Sequence, residues 1–167
     1  CSSDLQDMSI FRLVQKRNKG IAIFVNKWDL VDKETNTARD FEAGVKERLA
    51  PFNDVPVIFI SALEKTRIFK SIEVLLDIYE NKQKKIMTSK LNDVMLPIIE
   101  KTPPPSYRGK MIKIKYITQL HASHPVFGFF CNYPDHILES YKQFLENQMR
   151  KNFDFSGVKI SIVFKEK

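Results

Sequence analysis

The sequence predicts an α/β fold built as two small units. Parallel strands with flanking helices are expected over residues 1–87, and an α+β unit with a three-stranded sheet over residues 88–167. Short apolar runs alternate with helical patterns in the first half, which is typical of a parallel sheet. The pattern changes after a polar stretch at residues 80–85, and 167 residues suffice for two modest cores.

The first half is predicted to read helix, strand, helix, strand, helix. Residues 2–4, Ser-Ser-Asp, can cap a first helix that ends near Gly20. Its apolar residues recur at helical spacing: Leu5, Met8, Phe11 and Val14. Two apolar runs, typical of parallel strands covered on both faces, lie at residues 21–25 and 56–60. Helices are expected over residues 37–49 and from Phe69 toward Lys85.

The second half is predicted to read helix, strand, strand, helix, strand. Its first helix follows Thr88 and stops at three consecutive prolines, residues 103–105, which lack N–H groups. One apolar and one basic face are expected for the next strand, which alternates Ile112, Ile114 and Tyr116 with Lys113 and Lys115. The remaining elements are expected at residues 126–131 (strand), 138–149 (helix) and 158–164 (strand).

Composition and length exclude several classes of protein. No apolar run approaches the ~20 residues that a membrane-spanning helix needs. Two cysteines provide no disulfide framework, and nothing at the start resembles a signal peptide. We therefore expect a cytoplasmic protein with no membrane partner. The chain opens on Cys1 rather than Met, which is expected of a fragment or of a processed chain.

Positive charge is concentrated in the second half. Residues 88–167 hold 12 Lys and Arg against 7 Asp and Glu, a net +5, whereas residues 1–87 hold 15 against 13, a net +2. A basic domain of this kind is compatible with nucleic-acid binding, although many basic domains bind none. Charge alone therefore leaves the partner of the second half open.

Two short motifs follow the two predicted parallel strands. Asn26-Lys27-Trp28-Asp29 matches the NKxD base-recognition motif of GTPases, and Ser61-Ala62 follows the next strand. Both stand at strand ends, where open parallel sheets bind their ligands. Guanine offers two adjacent donors, N1–H and the exocyclic amine, which one carboxylate can accept together. Adenine would leave buried polar groups unpaired, so the motifs predict guanine specificity.

Resemblance to GTPases implies a role for each residue of this guanine site. Asp29 would accept hydrogen bonds from both guanine donors, and Asn26 would brace the loop near the N7/O6 edge. The aliphatic part of the Lys27 side chain would lie along the base. The backbone N–H of Ala62, which follows Ser61, would reach O6. The alternative is structural, since an Asp can merely cap a turn and an Asn can satisfy loop backbone.

Three further signals are assigned no ligand. Trp28 fills the variable position of its motif and is interpreted as a packing residue. Residues 154–157, Asp-Phe-Ser-Gly, match a DxxG motif in letters but follow the base motif, so we expect a helix-to-strand turn. No metal site is predicted, because four candidate ligands have a spacing that matches no familiar pattern: His121, His124, Cys131 and His136.

Taken in order, the segments of the chain resemble the bacterial Der (EngA) family of tandem GTPases over essentially its whole length. They are Gln6-Asp7, NKWDLV at 26–31, ISAL at 60–63, the three prolines, KIKYITQ at 113–119, FCN at 130–132, ESYKQFLENQMR at 139–150 and VKISIVFK at 158–165. The resemblance implies the C-terminal part of the second GTPase domain, an incomplete P-loop-type domain, over residues 1–87. It implies a KH-like domain over residues 88–167.

The resemblance further implies a GTP-hydrolysing cytoplasmic factor that assists assembly of the large ribosomal subunit. GTP or GDP would be its cofactor, and its partners would be the large subunit with its RNA and the other GTPase domain of the same protein. No GxxxxGK[ST] loop or correctly placed DxxG motif occurs in the sequence, so magnesium would bind only through other parts of the longer protein. No catalytic residue is predicted, and we expect this chain alone not to hydrolyse GTP.

The second half departs from a standard KH domain, because it has no GxxG loop to clamp RNA. RNA contact is therefore expected at four basic residues: Arg108, Lys110, Lys113 and Lys115. Two alternatives stay open. The lysines could be a solvated face on a domain that docks within its own protein, or the chain could be an RNA-binding or interaction module with a vestigial nucleotide site.

Overall fold

The computed structural model describes residues 4–31, 37–49, 52 and 54–166. The chain divides into two compact units: Cys1–Lys82 with Phe155–Lys159, and Gln83–Asp154 with Ile160–Lys167. The expected helix caps Ser2 and Ser3 and the side chain of Leu5 lie outside what is described. Within the described ranges, no helix is long and apolar enough to cross a membrane.

The first unit alternates helices with two parallel strands. Its elements are α1 (Asp4–Lys16), β1 (Ile23–Val25), α2 (Thr37–Leu49), β2 (Val57–Phe59) and α3 (Ile68–Gln83). Strand β1 pairs with β2 in parallel, from Ile23 opposite Val57 to Val25 opposite Phe59. The carboxyl ends of both strands therefore lie at the same edge of the sheet.

The two strands differ in how completely they are buried. In β2, Ile58 and Phe59 are both buried on their opposite faces, as the apolar run predicts. In β1, Ile23 packs against a core that α1 and α2 supply, but 37% of the Phe24 side chain on the other face is exposed. The expectation that β1 is covered on both faces is therefore wrong for the described residues, because its helices cover only the side of Ile23.

The second unit is a three-stranded sheet with two helices. Its elements are α4 (Thr88–Lys101), β3 (Ile114–Leu120), β4 (Val126–Cys131), α5 (Glu139–Asn152) and β5 (Ser161–Glu166). The strand order is β3-β4-β5, with β4 antiparallel to β3 and parallel to β5. The predicted order of helix, strand, strand, helix, strand is confirmed.

The core of the second unit lies between the helices and one face of the sheet. Each helix contributes apolar residues at spacings of four, which place them on one side. The buried residues are Leu91, Met95 and Ile99 of α4, Tyr141, Leu145 and Met149 of α5, and Ile117, Phe127, Phe129, Cys131 and Ile162 of the sheet. The Tyr141 hydroxyl donates to the Thr102 carbonyl at 2.7 Å, and burial raises its pKa to about 12.

The prediction that β3 has one apolar and one basic face is wrong, because the strand contains a β-bulge. Ile114 pairs with the buried Cys131, but Tyr116 pairs with Phe130, which leaves Lys115 as an extra residue in the ladder. Since paired residues share a face and neighbours alternate, Tyr116 lies on the face away from the core. The aromatic ring therefore lies on the outer face of the sheet, where the alternation predicted only lysines.

The segment before β5 belongs to the first unit. Residues 158–160 were expected to extend the closing strand, but β5 begins at Ser161. Residues 156 and 157 form a turn, as predicted, with Gly157 at a left-handed φ of 70°. The Gly157 N–H donates to Asp54 at 3.2 Å and its carbonyl accepts from Ile21 at 2.8 Å. These bonds to distant backbone hold the segment out of the strand.

The free edge of β3 is capped by one side chain of α4. The Asn92 amide accepts a hydrogen bond from the Ile117 N–H at 2.8 Å and donates to the Ile117 carbonyl at 2.8 Å, as a neighbouring strand would. It also donates to the Thr88 carbonyl at 2.6 Å. We expect Asn92→Ala to lower the free energy of unfolding by about 2 kcal/mol, because two partly buried backbone groups lose their partners.

Urea unfolding of the whole chain, followed by circular dichroism, measures this loss. Asn147→Ala is the matched control, since Asn147 is also on a helix but is exposed and accepts a single bond of 3.3 Å from Gln143. The control should change stability by less than about 0.5 kcal/mol. Equal effects of the two substitutions would show that Asn92 does not stabilise the edge of β3.

Candidate functional site

The two sequence motifs meet at one edge of the parallel sheet. The Ile60 N–H donates to the Val25 carbonyl at 2.8 Å, and the Trp28 N–H donates to the Ile60 carbonyl at 3.1 Å. These bonds continue the pairing of β1 and β2 beyond their last residues. The loops that carry Asn26 and Ala62 therefore lie side by side at the carboxyl end of the sheet, where parallel sheets bind ligands.

Asn26 connects the two loops. Its Oδ1 accepts hydrogen bonds from the backbone N–H of Lys27 at 2.8 Å and of Ala62 at 3.1 Å, although 36 positions separate Asn26 from Ala62. Lys27 adopts a left-handed conformation with φ 61° and ψ 34°, and its side chain is exposed. The Asn26 amide thus joins the two loops, and its place near the N7/O6 edge of guanine stays a prediction.

Asp29 carries an acceptor without a partner. It lies in a short 3₁₀ turn, Trp28–Leu30, directly after the left-handed Lys27. Its Oδ1 is buried and has no hydrogen-bond partner among the described residues. Buried polar atoms are nearly always paired in folded proteins, so this oxygen is suited to a donor that the described residues do not supply.

Ser61 and Ala62 differ in what their polar groups contact. Ser61 is 2% exposed, and its hydroxyl accepts from the Glu64 N–H at 3.1 Å. Its backbone also pairs with Thr66, so Ser61 shapes the loop from within. The Ala62 N–H, which the sequence analysis assigned to guanine O6, donates to Asn26 in this structure.

Trp28 is a packing residue, as interpreted from its position in the motif. Its ring lies 4.2 Å from that of Phe59 in β2 and 6.0 Å from that of Phe41 in α2, and the latter two rings are 5.9 Å apart. The cluster fixes the turn that carries Asp29 against the sheet. Sequence reasoning did not foresee Phe41 and Phe59 in this role, because only the fold brings them to Trp28.

The four basic residues predicted to contact RNA are all exposed and lie at or before the start of β3. Arg108 and Lys110 flank Gly109 in a tight turn, whereas Lys113 precedes β3 and Lys115 is its bulged residue. From Lys101 to Gln119 the sequence holds five Lys and Arg and no Asp or Glu. Four aromatic side chains that sequence reasoning missed lie beside this stretch: Tyr107, Tyr116, Tyr133 and His136. Only Tyr107 and Tyr116 stand next to basic residues in the sequence.

Three of the four residues considered as metal ligands are described by their contacts or their burial. His124 Nε2 lies 2.9 Å from the Ser161 hydroxyl, and His136 stacks on Tyr107. Burial raises the pKa of the Cys131 thiol to about 11, so it stays protonated at neutral pH. Across the described ranges, no group of three His, Cys, Asp or Glu could hold a metal ion.

Comparison with known proteins identifies relatives for both units. The model of the family described as the KH-domain-like domain of EngA bacterial GTPase enzymes, C-terminal, matches residues 85–165. A GTPase Der of Christiangramia forsetii is 55% identical over 164 residues, 98% of this chain and 38% of the relative.

Two further relatives show the same coverage. A GTPase Der of Flavobacterium psychrophilum is 52% identical over 162 residues, 97% of this chain and 37% of the relative. One of Porphyromonas gingivalis is 50% identical over 163 residues, again 97% of this chain and 37% of the relative. The chain therefore spans little more than a third of the length of the curated relatives it matches, and the similarity covers both of its units.

Proposed function

Because the chain belongs to the Der (EngA) family of GTPases, we propose that it carries the guanine-reading half of a nucleotide site together with an RNA-binding KH-like unit. The complete protein is then a cytoplasmic factor that binds GTP or GDP and assists assembly of the large ribosomal subunit. In this proposal residues 1–87 are the C-terminal part of its second GTPase domain, and residues 88–167 are its KH-like domain.

One observation carries the nucleotide part of the proposal. Asn26 ties its own loop to Ala62, and the neighbouring Asp29 holds a buried Oδ1 without a partner among the described residues. Guanine N1–H and its exocyclic amine are donors of the kind that such a carboxylate lacks. When the base binds, the Ala62 N–H would donate to guanine O6 instead of, or in addition to, Asn26 Oδ1. The aliphatic part of the Lys27 side chain would cover the base.

In this proposal the residues of this chain recognise the base and take no part in hydrolysis. They select guanine and orient it, and they do not contact the reacting phosphates in this proposal. Magnesium and the phosphate groups would be held by other parts of the longer protein, which supply hydrolysis. Competition binding between GTP, ATP and XTP tests whether these residues read the base.

The second unit is proposed to contact ribosomal RNA through its basic residues. The stretch from Lys101 to Gln119 holds five cations and no Asp or Glu, and these cations produce a local positive field that attracts phosphate. The other GTPase domain of the same protein is the second partner, and the nucleotide state would decide which of the two is engaged. An RNA-binding or interaction module with a vestigial nucleotide site is the alternative.

We expect the whole 167-residue chain to bind structured ribosomal RNA weakly, mostly through phosphate contacts. Affinity should fall steeply with salt, and replacing Lys113 and Lys115 by Ala should flatten the dependence of log K on log salt. The flattening should be at most about two units, since each phosphate contact contributes roughly 0.7 to 0.9. Fluorescence anisotropy with a labelled RNA fragment, over a series of salt concentrations, measures both quantities.

The matched control replaces two lysines on the helices, Lys90 and Lys151, by Ala. It removes the same charge from exposed positions of α4 and α5, which pack on the other face of the sheet. A general effect of net charge would flatten the salt slope equally in both double variants. That result, or wild-type binding by the Lys113/Lys115 variant at every salt concentration, would remove this surface from the proposal.

A further inference from the structure

A rigid turn presents two basic side chains at the entry to β3. Tyr107 and Lys110 exchange two backbone hydrogen bonds, of 3.0 and 2.8 Å, around the central pair Arg108-Gly109. Both central residues have positive φ, 48° and 76°, as in the tight turns that join antiparallel strands. A left-handed Arg is less favourable than a Gly or Asn, and such conformations are concentrated at functional sites.

Two rings lie in parallel beside this turn. The Tyr107 phenol and the His136 imidazole have centroids 3.5 Å apart and planes 6° apart, which is a face-to-face stack. The Arg108 guanidinium carbon lies 5.2 Å from the centre of the Tyr107 ring, and Lys110 Nζ lies 5.7 Å from the centre of the Tyr133 ring. Two cations, Arg108 and Lys110, thus lie beside the aromatic rings of Tyr107 and Tyr133. The His136 ring in the stack is exposed.

The fold does not depend on the ring stack to hold its two loops together. Asn132 Oδ1 accepts from the Lys113 N–H at 2.5 Å, its Nδ2 donates to the Met111 carbonyl at 3.0 Å, and its N–H donates to the Lys113 carbonyl at 3.4 Å. These three bonds already join the segment before β3 to the residue after β4. The exposed His136 ring is therefore not needed to join the loops and can accept another partner.

We propose that Tyr107 and His136 form a stacking site for an unpaired RNA base, with Arg108 and Lys110 on the phosphates that flank it. Single-stranded RNA is recognised by stacking of its splayed bases on aromatic side chains, and cations beside those rings hold the backbone. The inference rests on the proposed RNA-binding function and adds to it a preference for unpaired nucleotides. Phosphate contacts alone would not provide this preference.

The chemistry of the surface favours RNA over a protein partner. The turn and β3 carry no acidic residue, and Asp135 is the only carboxylate in the loop that carries His136, residues 132–138. A ring stack with adjacent cations matches a base with its two phosphates.

The experiment uses an RNA hairpin with 2-aminopurine at an unpaired loop position and a fully paired RNA duplex of equal charge. Wild-type chain should quench the 2-aminopurine fluorescence, since stacking on aromatic rings quenches it, and should prefer the hairpin. The double variant Tyr107→Ala/His136→Ala should lose the quench and bind the hairpin at least about fivefold more weakly, the lower bound for one stacked base. Its affinity for the duplex should stay unchanged.

Two single variants distinguish a loss of ring stacking from a change in charge and from unfolding of the protein. His136→Phe keeps a ring and should retain the quench, whereas His136→Gln keeps polarity and should lose it. Because His136 is exposed, neither change should lower the melting temperature, so this pair decides the question even where the double variant unfolds. A quench retained by His136→Gln, or an equal loss of affinity for hairpin and duplex in the double variant, would overturn the inference.

The outcomes also separate this inference from the function on which it rests. If the chain binds neither RNA at low salt, the proposed RNA function and the stacking site fall together. If Lys113→Ala/Lys115→Ala weakens binding while the ring variants leave affinity and quench intact, RNA binding stands and the stacking site falls. Binding of an acidic protein with no RNA binding would assign the surface to a different partner.

Discussion

The substitution Asp29→Asn should change the base preference of the proposed guanine site in the complete protein from guanine to xanthine. The amide offers an N–H where the carboxylate has only acceptors, and xanthine carries a carbonyl at the position of the exocyclic amine of guanine. XTP should therefore bind the variant better than GTP does. GTP affinity should fall on the order of 10²- to 10⁴-fold, because two charge-assisted hydrogen bonds of roughly 1.5–3 kcal/mol each are lost.

The geometry around Asp29 explains why the effect should be confined to base selection. Its turn is held by Trp28, which packs on Phe59 at 4.2 Å, and the loop is tied to Ala62 by Asn26. An Asn at position 29 has the shape of Asp and leaves these contacts in place. The substitution therefore changes the hydrogen-bonding groups that face the base and not the fold of the loop.

Competition binding with GTP, ATP and XTP, in a version of the complete protein without the first GTPase domain, measures the change. Asp77→Asn is the matched control, since it removes the same charge from an exposed position of α3. The control should keep the wild-type preference for GTP. An unchanged preference in the Asp29 variant would show that Asp29 does not read the base.

The 167-residue chain by itself should not hydrolyse GTP. Hydrolysis needs backbone N–H groups and a lysine around the β- and γ-phosphates, together with magnesium, and no phosphate-loop motif occurs in this sequence. The residues proposed to face the base contribute binding free energy only. We therefore expect turnover at the level of a buffer blank, whereas the proposed function predicts GTP hydrolysis by the complete protein.

Release of phosphate from GTP with magnesium, with and without the chain, measures this. The chain with Asp29→Asn serves as a control for contaminating enzymes, because a contaminant would be indifferent to that substitution. Magnesium-dependent turnover that survives repurification and disappears in the Asp29 variant would refute the prediction. It would show that the residues of this chain suffice for phosphate chemistry.

The sequence determined those features of the protein that depend on local patterns. Alternating apolar runs and helical spacings predicted the order of all five elements in the second unit and the parallel pairing of β1 with β2. The two motifs were placed after two strand ends, and a 3.1 Å bond joins Asn26 to Ala62 there, whereas their contact with guanine stays a prediction. The family resemblance came from the same segments in the same order.

The tertiary structure decided what depends on contacts between distant residues. The bulge at Lys115 places Tyr116 opposite Phe130, and the pairing partner, not the alternation in β3 alone, determines which face a side chain occupies. Backbone bonds to Asp54 and Ile21 keep residues 155–159 out of β5. The stack of Tyr107 on His136 joins residues 29 positions apart. A local pattern reports the propensity of neighbours in sequence, whereas bulges, strand ends and ring stacks arise from hydrogen bonds and packing that form only when remote segments meet.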